Sequence, residues 1–197
     1  MSATCAGGRR RPRPTHAYGV VVADITVVVV CTQCGQLWPR DVGSAPCVDA
    51  EHDHQEFELH RHRTAVVLPD GTEIVAVSFD DADPYVRDRE PDFGLYLDAR
   101  WQPPWPHEHL DWPDFGVPDD AVVLAAALRD LLQRARAGDR VEIGCLGGHG
   151  RTGTALGCLA ALAGHPPDDA VAWVRANYCT EAVETDDQAA FVATFRA

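Results

Sequence analysis

Apolar residues come in short runs through the first half of the chain and at helical spacing through the second. Val20 to Val30 is an apolar run interrupted by Asp24 and Thr26; it falls short of the roughly 18 apolar residues that cross a bilayer and reads as a strand. Thr72 to Phe79 carries Ile74, Val75 and Val77 among smaller residues, and Leu95 to Leu97 is another short apolar stretch; both have strand length. A loop with Pro103, Pro104, Pro106 and Pro113 follows, which excludes helix and belongs on the surface, where sites sit. From Asp119 to Ala137, Leu124, Leu128, Leu131, Leu132 and Ala135 share one helical face, with Pro118 and acidic residues at the start and Gly138 at the end. Arg140 to Gly144 is a short strand, a glycine-rich turn follows it, and Thr152 to Ala163 is an apolar helix closed by Gly164. Two more helices are predicted, one over Asp168 to Asn177 and one opening on Thr185-Asp186-Asp187-Gln188, a capping-box pattern, and running through Phe191, Val192 and Phe195. Strand, turn and three helices in this order predict an α/β domain with helices flanking a central sheet.

Length and charge bound this picture. A chain of 197 residues holds one ordinary core and a small satellite. Residues 1–17, rich in Arg and Pro and without periodicity, read as a disordered lead that lacks the apolar region of a signal peptide. Residues 18–62 are rich in strand formers, His and Cys and read as a separate module, with the main domain over 63–197. The net charge of -13, with all 17 basic residues Arg, argues against nucleic acid and anionic membranes as partners. A cytoplasmic location is expected.

The turn that carries chemistry is Gly144-Cys145-Leu146-Gly147-Gly148-His149-Gly150-Arg151-Thr152-Gly153. Between a strand and a helix, its backbone amides converge on an anion, with the helix dipole adding positive potential. Gly147, Gly148 and Gly150 permit close approach of backbone to ligand. Residues 145–151 are thus the expected phosphate-binding loop, with a thiolate at one end and a planar guanidinium at the other. Cys-x5-Arg followed by Thr-Gly resembles the signature loop of the protein tyrosine phosphatase superfamily. The resemblance implies that Cys145 forms a phosphocysteine, Arg151 holds the phosphoryl group and the Thr152 hydroxyl assists thiolate release. Gly144 departs from the pattern, since a His usually precedes the nucleophile in that family.

A second motif, Trp112-Pro113-Asp114-Phe115-Gly116-Val117-Pro118, resembles the mobile acid loop of the classical tyrosine phosphatases and lies upstream of the cysteine, as in that family. It implies that Asp114 protonates the leaving oxygen and then serves as base for water. Val183 to Gln188 is similar to the glutamine loop, with Glu184 at the first Gln position and Gln188 at the second; Gln188 either orients the hydrolytic water, caps the last helix, or does both. The resemblance covers 63–197 at the size of the compact dual-specificity members. It implies a phosphatase acting on a phosphorylated protein, phosphotyrosine foremost, or a small phosphomonoester, with no cofactor in catalysis. The alternative is a weakly active or inactive phosphoprotein-binding module that uses the same loop.

Seven cysteines, an odd number, include Cys31-Thr32-Gln33-Cys34-Gly35 and Cys47, followed by His52, His54, His60 and His62. Three thiolates and one imidazole satisfy tetrahedral zinc. The segment resembles a zinc ribbon, with structural zinc expected on Cys31, Cys34, Cys47 and His52, or His54 in place of His52; the alternative is reduced cysteines beside solvated histidines. Cys158 and Cys179 read as small packed side chains, and His149 as a modulator of the turn.

Overall fold

A computed structural model describes residues 24–31, 37–39, 53–79 and 84–196. The first described sheet is antiparallel, in the order β2-β1-β3, formed by β1 (Asp24–Cys31), β2 (Leu37–Pro39) and β3 (His54–Arg61). Strand β1 overlaps the apolar run read from the sequence. Its register sets Cys31 opposite His54 on the backbone. Cys34, Cys47, His52 and residues 1–17 lie outside the described residues, as do the side chains of Cys31 and His54, so the zinc set and the disordered lead lie outside them too.

The second sheet has five strands, β4 (Arg63–Val67), β5 (Glu73–Ser78), β6 (Phe93–Tyr96), β7 (His107–His109) and β8 (Val141–Cys145), in the order β4-β5-β8-β6-β7. Strand β4 runs antiparallel to β5 through a tight turn in which the Leu68 N–H donates to the Thr72 carbonyl; the other pairs are parallel. Two of these strands escape a sequence reading. Strand β4 alternates buried and exposed residues over only five positions, and β7 is His-Glu-His, an edge strand with no apolar signal. Strand β8 is buried throughout and central, so its carboxyl end, Cys145, opens beside the ends of β5 and β6, where parallel sheets place their sites.

The pleat sorts side chains into two layers. Ile74, Ala76, Leu95, Val141 and Ile143 join the apolar core shared with the helices, whereas Val75, Val77 and Tyr96 join a smaller cluster with Phe79 and Trp105. Trp101 stacks on Phe79 with ring centroids 4.4 Å apart. Trp101 and Trp105 are therefore packing anchors for the proline-rich loop.

Helix α1 (Ala121–Ala137) starts where the Asp120 carboxylate accepts the N–H groups of Val122 and Val123, at 2.8 and 3.1 Å, and ends at Gly138 with φ 102°. Helix α2 (Gly150–Leu162) begins two residues before the predicted Thr152, so Arg151 and Thr152 sit in its first turn. A short 3-10 turn over Pro167–Asp169 leads into α3 (Ala170–Asn177), and α4 (Asp186–Thr194) starts at the Thr185 cap. Among the described residues, no helix is long and apolar enough to cross a membrane.

Candidate active site

Cys145 ends β8 with 3% of its surface exposed, and the Thr152 Oγ1 donates to its Sγ at 3.1 Å. The turn between β8 and α2 is pinned by its carbonyl groups. Leu146 O accepts the Phe79 N–H at 2.8 Å, Gly148 O accepts the Tyr178 hydroxyl at 2.6 Å, and His149 O accepts the Gly153 N–H at 2.8 Å. In a planar trans peptide the N–H points opposite to the C=O. Anchoring these oxygens to the scaffold therefore turns the N–H groups of Gly147, His149 and Gly150 the other way, as an anion cradle needs. Gly148 takes φ 78°, a left-handed angle that favours glycine.

Arg151 is buried and reaches the acid loop. Its Nη1 donates to Leu97 O at 2.9 Å and Trp112 O at 3.2 Å, while Nη2 lies 3.3 Å from Asp98 Oδ2 and 3.4 Å from Asp114 Oδ1. The Nε of Arg151 is buried without a hydrogen-bond partner among the described residues, a donor left for an oxyanion. Asp98 sits just after β6. The guanidinium of Arg100, with help from Arg151, holds its carboxyl down to about 2. Sequence reasoning missed Asp98; its only signal is a carboxylate directly after a buried strand.

Asp114 is exposed at the tip of the acid loop, beside Phe115, whose φ is 60°. Trp112 is buried, and its indole N–H donates to Gly116 O at 3.2 Å, closing the loop on itself. The loop is tied to the start of α4. Gln188, fully buried, accepts the Glu184 N–H at 2.9 Å and donates to Gly116 O at 3.1 Å, and its own N–H donates to the Thr185 hydroxyl. Both polar ends of Gln188 are thus engaged in joining two loops, and the capping hydrogen bond read from the sequence is present.

Glu184 stands at the rim. Its carboxylate accepts the Gly150 N–H; desolvation first, and the neighbouring Asp114 charge second, raise its pKa. Val183 before it takes φ 63°, a strained angle for a β-branched residue, held where Arg175 donates to the Ala182 and Val183 carbonyls at 3.0 and 2.8 Å.

One assignment changes. His62, grouped by the sequence with the upstream histidines, is buried against the turn after β8, where its Nε2 lies 2.9 Å from His149 Nε2. Cys158 and Cys179 are both packed in the apolar core, as read from the sequence, and Cys179 also lies beside the two histidines. Glycine rather than His before Cys145 also has a steric cause: a Cβ at Gly144 would overlap the Val77 carbonyl oxygen and come within 2.6 Å of Val77 Cγ2.

No protein-family model matches the chain. Among solved structures, kinase associated phosphatase, with its catalytic-site cysteine replaced by serine, aligns with a TM-score of 0.55 and 16% identity, covering 69% of this chain and 94% of that one. The core catalytic domain of PP-IP phosphatase SIW14 from S. cerevisiae, in complex with citrate, aligns with a TM-score of 0.53 and 17% identity, covering 69% and 87%. At these identities the likeness is one of fold. Among curated proteins, Uncharacterized protein MJECL20 of Methanocaldococcus jannaschii is 32% identical over 111 residues, 50% of this chain and 71% of that protein. The chain therefore belongs to the same family as that archaeal protein and carries the fold of the tyrosine and dual-specificity phosphatases.

Proposed function

We propose that the chain is a phosphatase that hydrolyses phosphomonoesters, protein phosphotyrosine foremost, through a phosphocysteine on Cys145. The observation that carries this reading is convergence: a buried cysteine and a buried arginine at the two ends of one turn meet an aspartate from a separate loop, with Arg151 Nη2 3.4 Å from Asp114 Oδ1 and Thr152 Oγ1 3.1 Å from Cys145 Sγ. The names of the two aligned phosphatases support the same reaction class.

The Cys145 thiolate attacks phosphorus, and the phosphorus–oxygen bond to the leaving group breaks as Asp114 transfers its proton to that oxygen. Arg151 and the amides of residues 146–151 bind the equatorial oxygens, where charge develops. In the second step Asp114 takes a proton from water, water attacks phosphorus, and the Thr152 hydroxyl stabilises the departing thiolate. Gln188 positions the acid loop through Gly116 and stands near enough to Gly150 to orient that water. Upstream, Cys31, Cys34, Cys47 and His52, or His54 in place of His52, would hold a structural zinc that supplies no catalytic chemistry.

Replacing Cys145 with Ser should abolish turnover of an aryl phosphate, measured beside phosphotyrosine, phosphoserine and phosphoinositide substrates. Turnover retained in Cys145→Ser overturns the mechanism. Tight phosphopeptide capture with no turnover by the unmodified protein makes the chain a binding module instead.

A further inference from the structure

Three groups that hydrolysis does not use meet at one side of the phosphate turn. His62 lies between β3 and β4, the side chain of His149 projects from the turn, and Cys179 follows α3. The imidazoles approach edge to face with Nε2 atoms 2.9 Å apart, and the donor atoms of all three residues lie within 4.8 Å of one another. His62 and Cys179 are buried, at 3% and 9% exposure, and His149 is partly open. Each is held by its own part of the scaffold. The His62 N–H donates to Ser78 Oγ and its carbonyl accepts the Ser78 N–H, both at 2.9 Å; Tyr178, next to Cys179, donates to Gly148 O.

Two imidazoles and one thiol, with no carboxylate among them, form a borderline-soft donor set that suits zinc better than magnesium or calcium. We propose that His62, His149 and Cys179 bind a zinc ion, with solvent entering on the open side of His149 as the fourth ligand. Tetrahedral zinc with Zn–N near 2.0–2.1 Å needs nitrogens about 3.3 Å apart, so the rings part by a few tenths of an ångström and the sulfur closes by up to about 1 Å. On binding, the Sγ–H proton leaves to solvent and the N–H shared between the Nε2 atoms moves to Nδ1 of the same ring. One proton is released, and the occupied site carries one positive charge. Burial raises the Cys179 thiol, with the Glu181 and Glu184 charges adding to the shift; the metal-free residue therefore keeps its proton until the ion displaces it. Occupancy would brace the turn that bears Cys145 against β4, β5 and the segment after α3.

The test uses the full chain carrying Cys145→Ser, which removes the catalytic thiolate as a competing ligand and makes the readout independent of turnover. Zinc equivalents bound are measured by equilibrium dialysis, with Co2+ as a spectroscopic substitute, in that protein and with Cys179→Ala added. Loss of one equivalent on adding Cys179→Ala, with loss of the zinc-dependent rise in unfolding temperature, is expected. His149→Asn, on the partly open turn, is the second variant and should lose the same equivalent while keeping its fold. Equal zinc content in the parent and either folded variant overturns the proposal. So does a loss seen only on replacing Cys31 and Cys34, which would assign all bound zinc to the upstream segment.

Discussion

Glu184 accepts the Gly150 N–H that the turn would otherwise offer to an anion, and lies beside Asp114 and Arg151. A carboxylate there stands in for an anion and, under the proposed function, repels a dianionic substrate. Glu184→Gln should therefore lower KM for an aryl phosphate several-fold, by roughly 1 kcal/mol or less because the group is exposed, and salt should shrink the difference. A KM unchanged at low salt would count against repulsion at the rim. Asp114 makes a different prediction. Asp114→Asn removes the proposed proton donor but keeps the size of the side chain, so kcat should fall by about 10² to 10⁴ and the basic limb of the pH profile should flatten. The loss should be smaller with a leaving group that departs without protonation.

At the scale of elements, the strand–turn–helix unit depends on how closely β8 packs on β5. The two run parallel, with Gly144 opposite Val77 and Cys145 opposite Ser78. A side chain at 144 meets backbone there, and backbone cannot swing aside. Gly144→Ala should cost about 1–3 kcal/mol through overpacking, read as a lower denaturant midpoint, and Gly144→His should cost at least as much. A stable Gly144→His would show that strand spacing is not what excludes a His at this position. Helix α2 is also decided by packing. Its first residues, Gly150 to Thr152, carry weak intrinsic signals, yet they are buried and helical because His149 O accepts the Gly153 N–H and Ala182 and Val183 close over Gly153.

Across the molecule, charge and burial set the response to acid. The folded-state carboxyl of Asp98 is depressed from 3.8 to about 2, by Arg100 first and Arg151 among the further causes. A depressed carboxylate stabilises the fold above its unfolded pKa, and that contribution is lost as pH falls from near 4 through about 2. Urea unfolding between pH 5 and pH 2 should therefore show a steeper loss in the native protein than in Asp98→Asn; equal slopes would remove Asp98 from the acid response. The other face holds a second buried carboxylate, Glu142, paired with Arg87 at 2.7 and 3.0 Å under the aromatic layer. By itself the sequence determined the helices with long apolar periodicity, the strand that ends at Cys145, and the local order of the Cys145–Arg151 turn and the Asp114 loop, because each rests on residues close in the chain. Tertiary structure alone decided what distant segments bring together. Strands β4 and β7 have too little apolar pattern to declare themselves outside the sheet, Asp98 reaches Arg151 and Gln188 reaches Gly116 only when distant segments meet, and His62, Cys179 and His149 become neighbours only because the chain folds back on one turn.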